Sequence, residues 1–290
     1  MASACEIRIA GLSRRQASMA AKAAIDEVRR IEIKFSRYRT DGIVPRINAS
    51  AGRAPVECDS ETLELLRYAD ALFETSSGLF DATSGVLRRA WNFNVPALPD
   101  PYRLAELLPL INWKSVELND RSVRLPIAGM ELDFGGFGKE YAVDRACGVL
   151  IAEGVRHGLV NLGGDVRAVG PQPDGSAWSI GIQDPRDSNQ VLASLPLFQG
   201  ALATSGDYER YVEIDGRRYC HILNPQTGMS VSSWRSISVL APVAMAAGGY
   251  STIAMLQEGN AASWLDAETV PWLGMDVNGT LHFGKTAPGR

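Results

Sequence analysis

Histidine is scarce in this chain of 290 residues: there are three, His157, His221 and His282. That scarcity argues against a histidine-rich zinc centre and leaves any metal to oxygen ligands. Cysteine is sparse too, and Cys5, Cys58, Cys147 and Cys220 are too far apart to form a C-x-x-C pair. Neither a zinc cage nor a disulfide framework is indicated, and a reducing compartment is expected. Positive charge is not in excess: 29 Lys plus Arg stand against 33 Asp plus Glu, for a formal net charge of -4 and a pI near 5.5. A nucleic-acid surface would need clustered basic residues, so that partner class is set aside. No stretch approaches the ~20 apolar residues needed to cross a bilayer. The N-terminus reaches Glu6 and Arg8 before any long apolar run, without a secretory leader core. The expectation is a cytoplasmic protein with no membrane insertion.

What is there is an ordinary globular composition, 46% hydrophobic and 21% charged. A chain of this length buries roughly 75% of its unfolded surface and needs no staples. Small and apolar residues from Ala17 through Ala20, Ala24, Val28 and Ile31 to Phe35 recur at helical spacing, and Ser13 with Gln16 has the spacing of a capping box. A second helix is predicted from Asp59 or Ser60, with Leu63, Leu66 and Phe73 on one side, ending at Ser76-Ser77-Gly78. A third, over 139–153, groups Val143, Ala146, Cys147 and Leu150 and stops at Gly154. Strands are predicted over 131–134, 159–162, 178–182, 208–214, 219–223 and 236–240, each bounded by turn residues. Asp215-Gly216 between two of these runs signals a tight hairpin, whose far end delivers His221 to a loop. The proline-rich segment 94–101 is short and reads as a surface loop inside one domain.

Glycines gather beside acids and amides in Asp133-Phe-Gly135-Gly136-Phe-Gly138-Lys139, in Asn161-Leu-Gly163-Gly164-Asp165 and in Ser205-Gly206-Asp207. Each cluster suits a turn or a close backbone approach to a ligand. The first opens a predicted helix, where free amides and Lys139 would make an anion site, although it matches neither the Walker nor the G-x-G-x-x-G order. His221 ends a strand at a turn marked by Pro225 and Gly228, a place suited both to a general base and to a turn histidine bonded to backbone.

Taken together, several segments resemble the ApbE family, the FAD:protein FMN transferases. Phe35-Ser36-Arg37-Tyr38 followed by Arg46-Ile47-Asn48 is similar to the family's early "S-x-Y/F…R-x-N" segment. The run from Ser77 through Leu79, Phe80 and Asp81 to Gly85 resembles "SGGxFDxTVG", and Trp91-Asn92-Phe93 stands where "WGF" is usual. Leu132-Asp133-Phe134-Gly135-Gly136 through Asp144 is similar to "LDLGGIAKGYAVD". Asn161 to Asp165, Ala203 to Tyr208, and His221 to Gly228 for "HIxDPxTG" complete an ordered series over most of the chain.

The resemblance implies a single α+β domain over 1–290, with a mixed or antiparallel sheet and packed helices in an ApbE-like architecture related to the T-fold. It implies FAD as substrate and a divalent cation, usually Mg²⁺, on the pyrophosphate. The FMN half would pass to a threonine or serine hydroxyl of a target protein, with release of AMP. Carried over by position, His221 matches the catalytic histidine, Tyr38 the flavin side, and Leu79, Phe80, Asp81 and Asp133 the nucleotide contacts. Lys139 stands where a polar or charged binding residue is usual, the Leu223 backbone would touch FAD, and the Gly136 carbonyl and Thr252 hydroxyl match metal ligands. Three positions depart from the pattern: Gly248 replaces an aspartate metal ligand, Glu140 stands where glycine is common, and Asn224 where aspartate is common. Loss of the aspartate weakens an oxygen site unless Asp133, Asp165 or another acid turns inward. Two successive glycines also weaken the expected helix there by about 1 kcal/mol each relative to alanine. FAD hydrolysis to FMN and AMP, and a flavin-binding protein impaired in catalysis, stand as alternatives. No D-x-x-[ST]-G-A-[ST] acceptor occurs in the chain, so self-flavinylation is not expected.

Overall fold

Ser13 starts the first long helix as its spacing requires. After strand β1 (Cys5–Ala10), helix α1 (Arg14–Phe35) opens with Ser13 accepting from the Gln16 N–H and the Gln16 side chain accepting from the Ser13 N–H. The computed structural model describes residues 4–284; residues 1–3 and 285–290, which the single-domain expectation included, lie outside the described residues. Helix α2 (Ile43–Ala49), strand β2 (Val56–Glu57) and helix α3 (Ser60–Thr75) follow, with Asp59 capping α3 through the Thr62 N–H. Helix α4 (Pro101–Leu107), strands β3 (Glu117–Leu118) and β4 (Ser122–Arg124), and helix α5 (Gly138–Ala152) come next. The strand-rich half holds β5 (His157–Leu162), β6 (Asp165–Gly170), β7 (Trp178–Asp184), β8 (Asp187–Leu197) and β9 (Gly200–Gly206). It continues with β10 (Tyr211–Ile214), β11 (Arg217–Cys220) and β12 (Trp234–Ala241). Helices α6 (Ala244–Leu256) and α7 (Ala261–Ala267) and strands β13 (Trp272–Asp276) and β14 (Leu281–Phe283) complete the order.

The sheet is antiparallel throughout its seven strands, in the order β1-β5-β6-β9-β12-β13-β14. It is buried on both faces. Val160 and Leu162 of β5 join the main core with Ala24, Ile31, Leu66, Val143, Leu150 and Ile253 from the helices. Leu159 points the other way, into a second core with Val166, Leu202 and the β7–β8 residues Trp178, Ile180 and Leu197. The period of two along β5 thus separates the helical layer from the β7–β8 hairpin. The α+β class with an antiparallel sheet and packed helices is what the sequence suggested. No helix among the described residues is long and apolar enough to cross a membrane.

The strand expected over 131–134 does not form; only an isolated bridge joins Glu131 to Ser84. Asn48 takes the place of a ladder, its Nδ2 donating to the Leu132 carbonyl at 3.0 Å and its Oδ1 accepting from the Leu132 N–H at 2.7 Å. The Asp133 N–H donates to the Ala82 carbonyl at 2.9 Å, and with Asn48 holding both polar groups of Leu132 the segment needs no regular ladder. The predicted 208–214 and 219–223 strands are shorter than expected, as β10 and β11.

Helix α6 forms in spite of its two glycines, because both meet close neighbours. A Cβ on Gly249 would lie 2.8 Å from Leu72 Cδ2 and 2.9 Å from the Tyr68 hydroxyl on α3, and one on Gly248 would run into Glu140 on α5. Tertiary packing outweighs the propensity deficit. Asp144 of α5 also caps α6 from outside, accepting from the Ala244 and Met245 N–H groups at 2.8 and 2.9 Å.

Candidate active site

Three loops and two helix ends converge beside the sheet. The β10–β11 hairpin turns at Asp215 and Gly216, both at positive φ (50° and 73°), as a tight two-residue turn demands. Counting outward from that turn sets Arg210 opposite His221. The Arg210 carbonyl accepts from the His221 backbone N–H at 2.9 Å and lies 3.2 Å from its Nδ1. A carbonyl only accepts, so Nδ1 carries the proton and Nε2 keeps its lone pair. His221 is exposed, yet neighbouring atoms strip enough water from the imidazole to lower its pKa, and the positive charges of Arg210 and Lys139 act in the same direction. At neutral pH the ring is an uncharged base.

Behind His221 the turn 224–229 is built by its own side chains. Asn224 Oδ1 accepts from the Gln226 N–H at 2.8 Å, so the amide does the work an aspartate would do in this turn. Gly228 takes a positive φ of 70°, and a Cβ there would lie 2.9 Å from Leu104 Cδ2. Trp91 Nε1 donates to the Gly228 carbonyl at 2.8 Å, and its ring stacks on Phe93 at 5.3 Å. Arg210 in turn lies over the Phe93 ring at 5.4 Å. Leu223 is half-buried against this cluster.

Tyr38 is exposed beside Arg210, and Arg37 Nη2 donates to its hydroxyl at 2.9 Å. Arg37 also pairs with Asp133, whose Oδ1 accepts from the Gly135 N–H at 2.9 Å. The segment 79–81 lies beneath: Phe80 is buried, and its ring would be 2.7 Å from a Cβ on Gly136, which pins that glycine where only a bare backbone fits. Asp81 is buried and its oxygens serve the protein itself, Oδ1 accepting from Thr83 N at 2.7 Å and Oδ2 from Trp113 N at 3.1 Å. Burial raises the Asp81 pKa against these bonds.

At the N-terminal end of α5 the charges are arranged differently. Lys139 Nζ lies 2.9 Å from Asp165 Oδ2. Burial disfavours the lysine charge, but Asp165 and Glu140 outweigh it and its pKa is raised, so Lys139 is cationic. Asp165 begins β6 directly after the Gly163-Gly164 turn, both glycines at positive φ. Glu140 is 7% exposed and its Oε2 accepts no hydrogen bond, whereas Asp165 Oδ2 has the Lys139 ammonium beside it. Burial, then the facing Asp165, push the Glu140 carboxyl well above the usual range. On α6, Thr252 Oγ1 shares a hydrogen bond with Ser205 Oγ at 3.0 Å, and Ser205 shares another with Ser251 at 2.9 Å. Among the described residues no group of three or more His, Cys, Asp or Glu side chains is placed to hold a metal ion. Any cation here would rest on mixed oxygen donors. A cavity of about 490 Å³ lined by Lys34, Asp41, Arg46 and Asp59 lies elsewhere, against α1 and α2.

The sequence reading passed over Arg210 and Arg37. Arg210 was legible in principle, since a two-residue turn at Asp215-Gly216 sets the register of every pair outward from it. Arg37 had no such signal, because its partner Asp133 is distant in sequence.

The protein is an α+β fold, a sheet backed by helices on one face, with an uncharged histidine near a half-buried lysine and two buried carboxylic acids. The structure aligns with the ApbE protein of Thermotoga maritima at a TM-score of 0.88 and 32% identity, covering 96% of this chain and 93% of that one. It also aligns with a flavinyl transferase, ApbE of Pseudomonas stutzeri, at a TM-score of 0.84 and 26% identity, over 97% and 91% of the two chains. In sequence the chain is 33% identical over 261 residues to the FAD:protein FMN transferase of Treponema pallidum (strain Nichols), 82% of this chain and 71% of that protein. The ApbE family model matches residues 1–271, and the chain belongs to the ApbE family.

Proposed function

We propose that this protein is an FAD:protein FMN transferase, which moves the FMN half of FAD onto a threonine or serine hydroxyl of a target protein and releases AMP. The observation that carries the reading is His221: its Nδ1–H is tied to the Arg210 carbonyl, so Nε2 is free to take a proton. The acceptor hydroxyl oxygen bonds to the FMN-side phosphorus, the bond to the AMP phosphate oxygen breaks, and the hydroxyl proton passes to Nε2. Lys139 is cationic and close enough to His221 to influence its charge, and it meets the negative charge that builds on the phosphate oxygens. Tyr38 contacts the flavin side; Leu79, Phe80, Asp81, Asp133 and the Leu223 backbone shape the nucleotide side.

A divalent cation, Mg²⁺ in this reading, supplies charge neutralisation on the pyrophosphate when bound. The Gly136 carbonyl and Thr252 hydroxyl would hold it, and the buried Glu140 Oε2 left without a partner is what supports a cation there. The partner is a target protein with a Thr or Ser flavinylation motif, met in the cytoplasm, and residues 1–290 act as one domain.

The test is incubation of the purified protein with FAD and Mg²⁺, with and without a peptide bearing D-x-x-[ST]-G-A-[ST], reading AMP release and peptide mass. An FMN-sized mass gain that depends on His221 is the expected result. AMP without labelled peptide would mean hydrolysis, and bound FAD with neither product a flavin-binding role; either overturns the proposal.

A further inference from the structure

The feature left over lies where α5 packs on α6. A Cβ built on Gly248 would sit 2.5 Å from Glu140 Cγ and 2.9 Å from its Cδ and Oε1. Glu140 therefore fills the space that a side chain at 248 would need. Two departures from the family pattern are one exchange: where aspartate is usual the chain has Gly248, and where glycine is common it has Glu140. The carboxylate is carried from the opposite side of the same gap.

Its surroundings are those of an incomplete coordination shell. Glu140 is 7% exposed, its Oε2 has no hydrogen-bond partner, and the carboxyl faces Asp165, whose Oδ2 is met by Lys139 Nζ at 2.9 Å. A buried carboxylate oxygen without a partner is costly unless a cation completes it. Thr252 lies one helical turn beyond Gly248 on the same face of α6, and its hydroxyl is oriented by Ser205 at 3.0 Å. Gly136 stands just ahead of α5, held by the Phe80 ring. Extending the flavin-transfer reading above, on which it rests, we infer that Glu140 supplies the divalent cation with the carboxylate that position 248 lacks, beside the Thr252 hydroxyl and the Gly136 carbonyl. One or two carboxylates with neutral oxygens, water and substrate phosphates suit a hard cation of this kind.

The experiment measures Mn²⁺ binding by loss of the free-ion electron paramagnetic resonance signal, with FAD present, in the full-length protein. Glu140→Gln keeps the shape and removes the charge, and is expected to weaken Mn²⁺ binding at least tenfold while the melting temperature without metal is held or raised. Gly248→Asp alone forces a side chain into space held by Glu140 and is expected to lower the melting temperature without tightening Mn²⁺. The double exchange Glu140→Gly with Gly248→Asp is expected to restore binding to within about threefold of the original. It remains informative should either single variant fold poorly. Unchanged Mn²⁺ affinity in Glu140→Gln, failure of the double exchange to bind, or no Mn²⁺ binding by the parent protein would each overturn the inference. The readout does not need turnover. A protein that binds Mn²⁺ through Glu140 but labels no acceptor sinks the transfer reading alone, and one that labels the acceptor with Mn²⁺ affinity indifferent to Glu140 sinks this inference alone.

Discussion

The carboxylates on the two sides of the site are treated in opposite ways. Around segment 81–133 every acid is answered from within: Asp81 accepts from Thr83 and Trp113, Asp133 pairs with Arg37, and Glu131 takes Arg88 Nε at 3.0 Å and Arg89 Nε at 2.8 Å. At the junction of α5, α6 and β6, Glu140 and Asp165 are more deeply buried than Asp133; Asp165 has Lys139 at 2.9 Å, but Glu140 Oε2 has no donor. A satisfied buried acid contributes to stability, whereas an unsatisfied one costs stability and is retained where something outside the chain completes it. The first side holds its acids in place by itself, whereas the second leaves Glu140 open to something outside the chain.

The comparison breaks most visibly at the base. His221→Ala is expected to lower acceptor labelling by roughly 10²- to 10⁴-fold, the usual range for a lost general base, with the melting temperature little changed because the ring lies at the surface. Mass spectrometry of the acceptor checks this, and a variant that labels at near the parent rate would remove His221 from the mechanism. On the first side, Asp81→Ala strands the Thr83 and Trp113 N–H groups in the interior, and a loss of roughly 3 kcal/mol of folding stability is expected. Urea titration measures it. A loss as small as that of an ordinary surface substitution would erase the distinction drawn between the two sides. Trp91→Phe keeps the stacked ring and removes only the bond to the Gly228 carbonyl, for a smaller loss of about 1 kcal/mol. The same titration resolves it, and equal losses in Trp91→Phe and Asp81→Ala would mean the buried acid is not special.

The smallest effect is in pH dependence. A folded-state imidazole pKa lowered by desolvation keeps His221 neutral as the pH falls below its ordinary value of 6.5, so the acidic limb of kcat/KM is expected below that pH. Replacing Lys139 with Met removes one of the charges that disfavour the imidazolium, and the limb is expected to move upward slightly. A limb that stays in place in Lys139→Met would show that the two side chains do not sense one another.

Much of this was open to reading from residues alone, because it depends on neighbours in sequence. Ser13 and Gln16 mark the start of α1, Asp59 the start of α3, and Asp215-Gly216 the hairpin that positions His221; each works through hydrogen bonds or backbone dihedrals within a few residues. The ordered motifs likewise named the family that the comparisons show. The strand expected at 131–134 failed for the converse reason. An apolar run predicts burial and not the identity of its hydrogen-bond partner, and the partner here was the side chain of Asn48, distant in the chain.

The two glycines of α6 show the same limit. In sequence they read as a weakened helix and a missing carboxylate. Only packing revealed that Gly249 makes room for α3 and Gly248 for Glu140, and that Asp144 caps the helix from α5. The sequence by itself determined the helix starts, the tight turns, the family and the position of the histidine, since local chemistry and motif order suffice for these. Which acids are satisfied, which is left open, and which helix brings a carboxyl against Gly248 were decided only in the tertiary structure, because burial and hydrogen-bond partnership depend on residues that folding alone brings together.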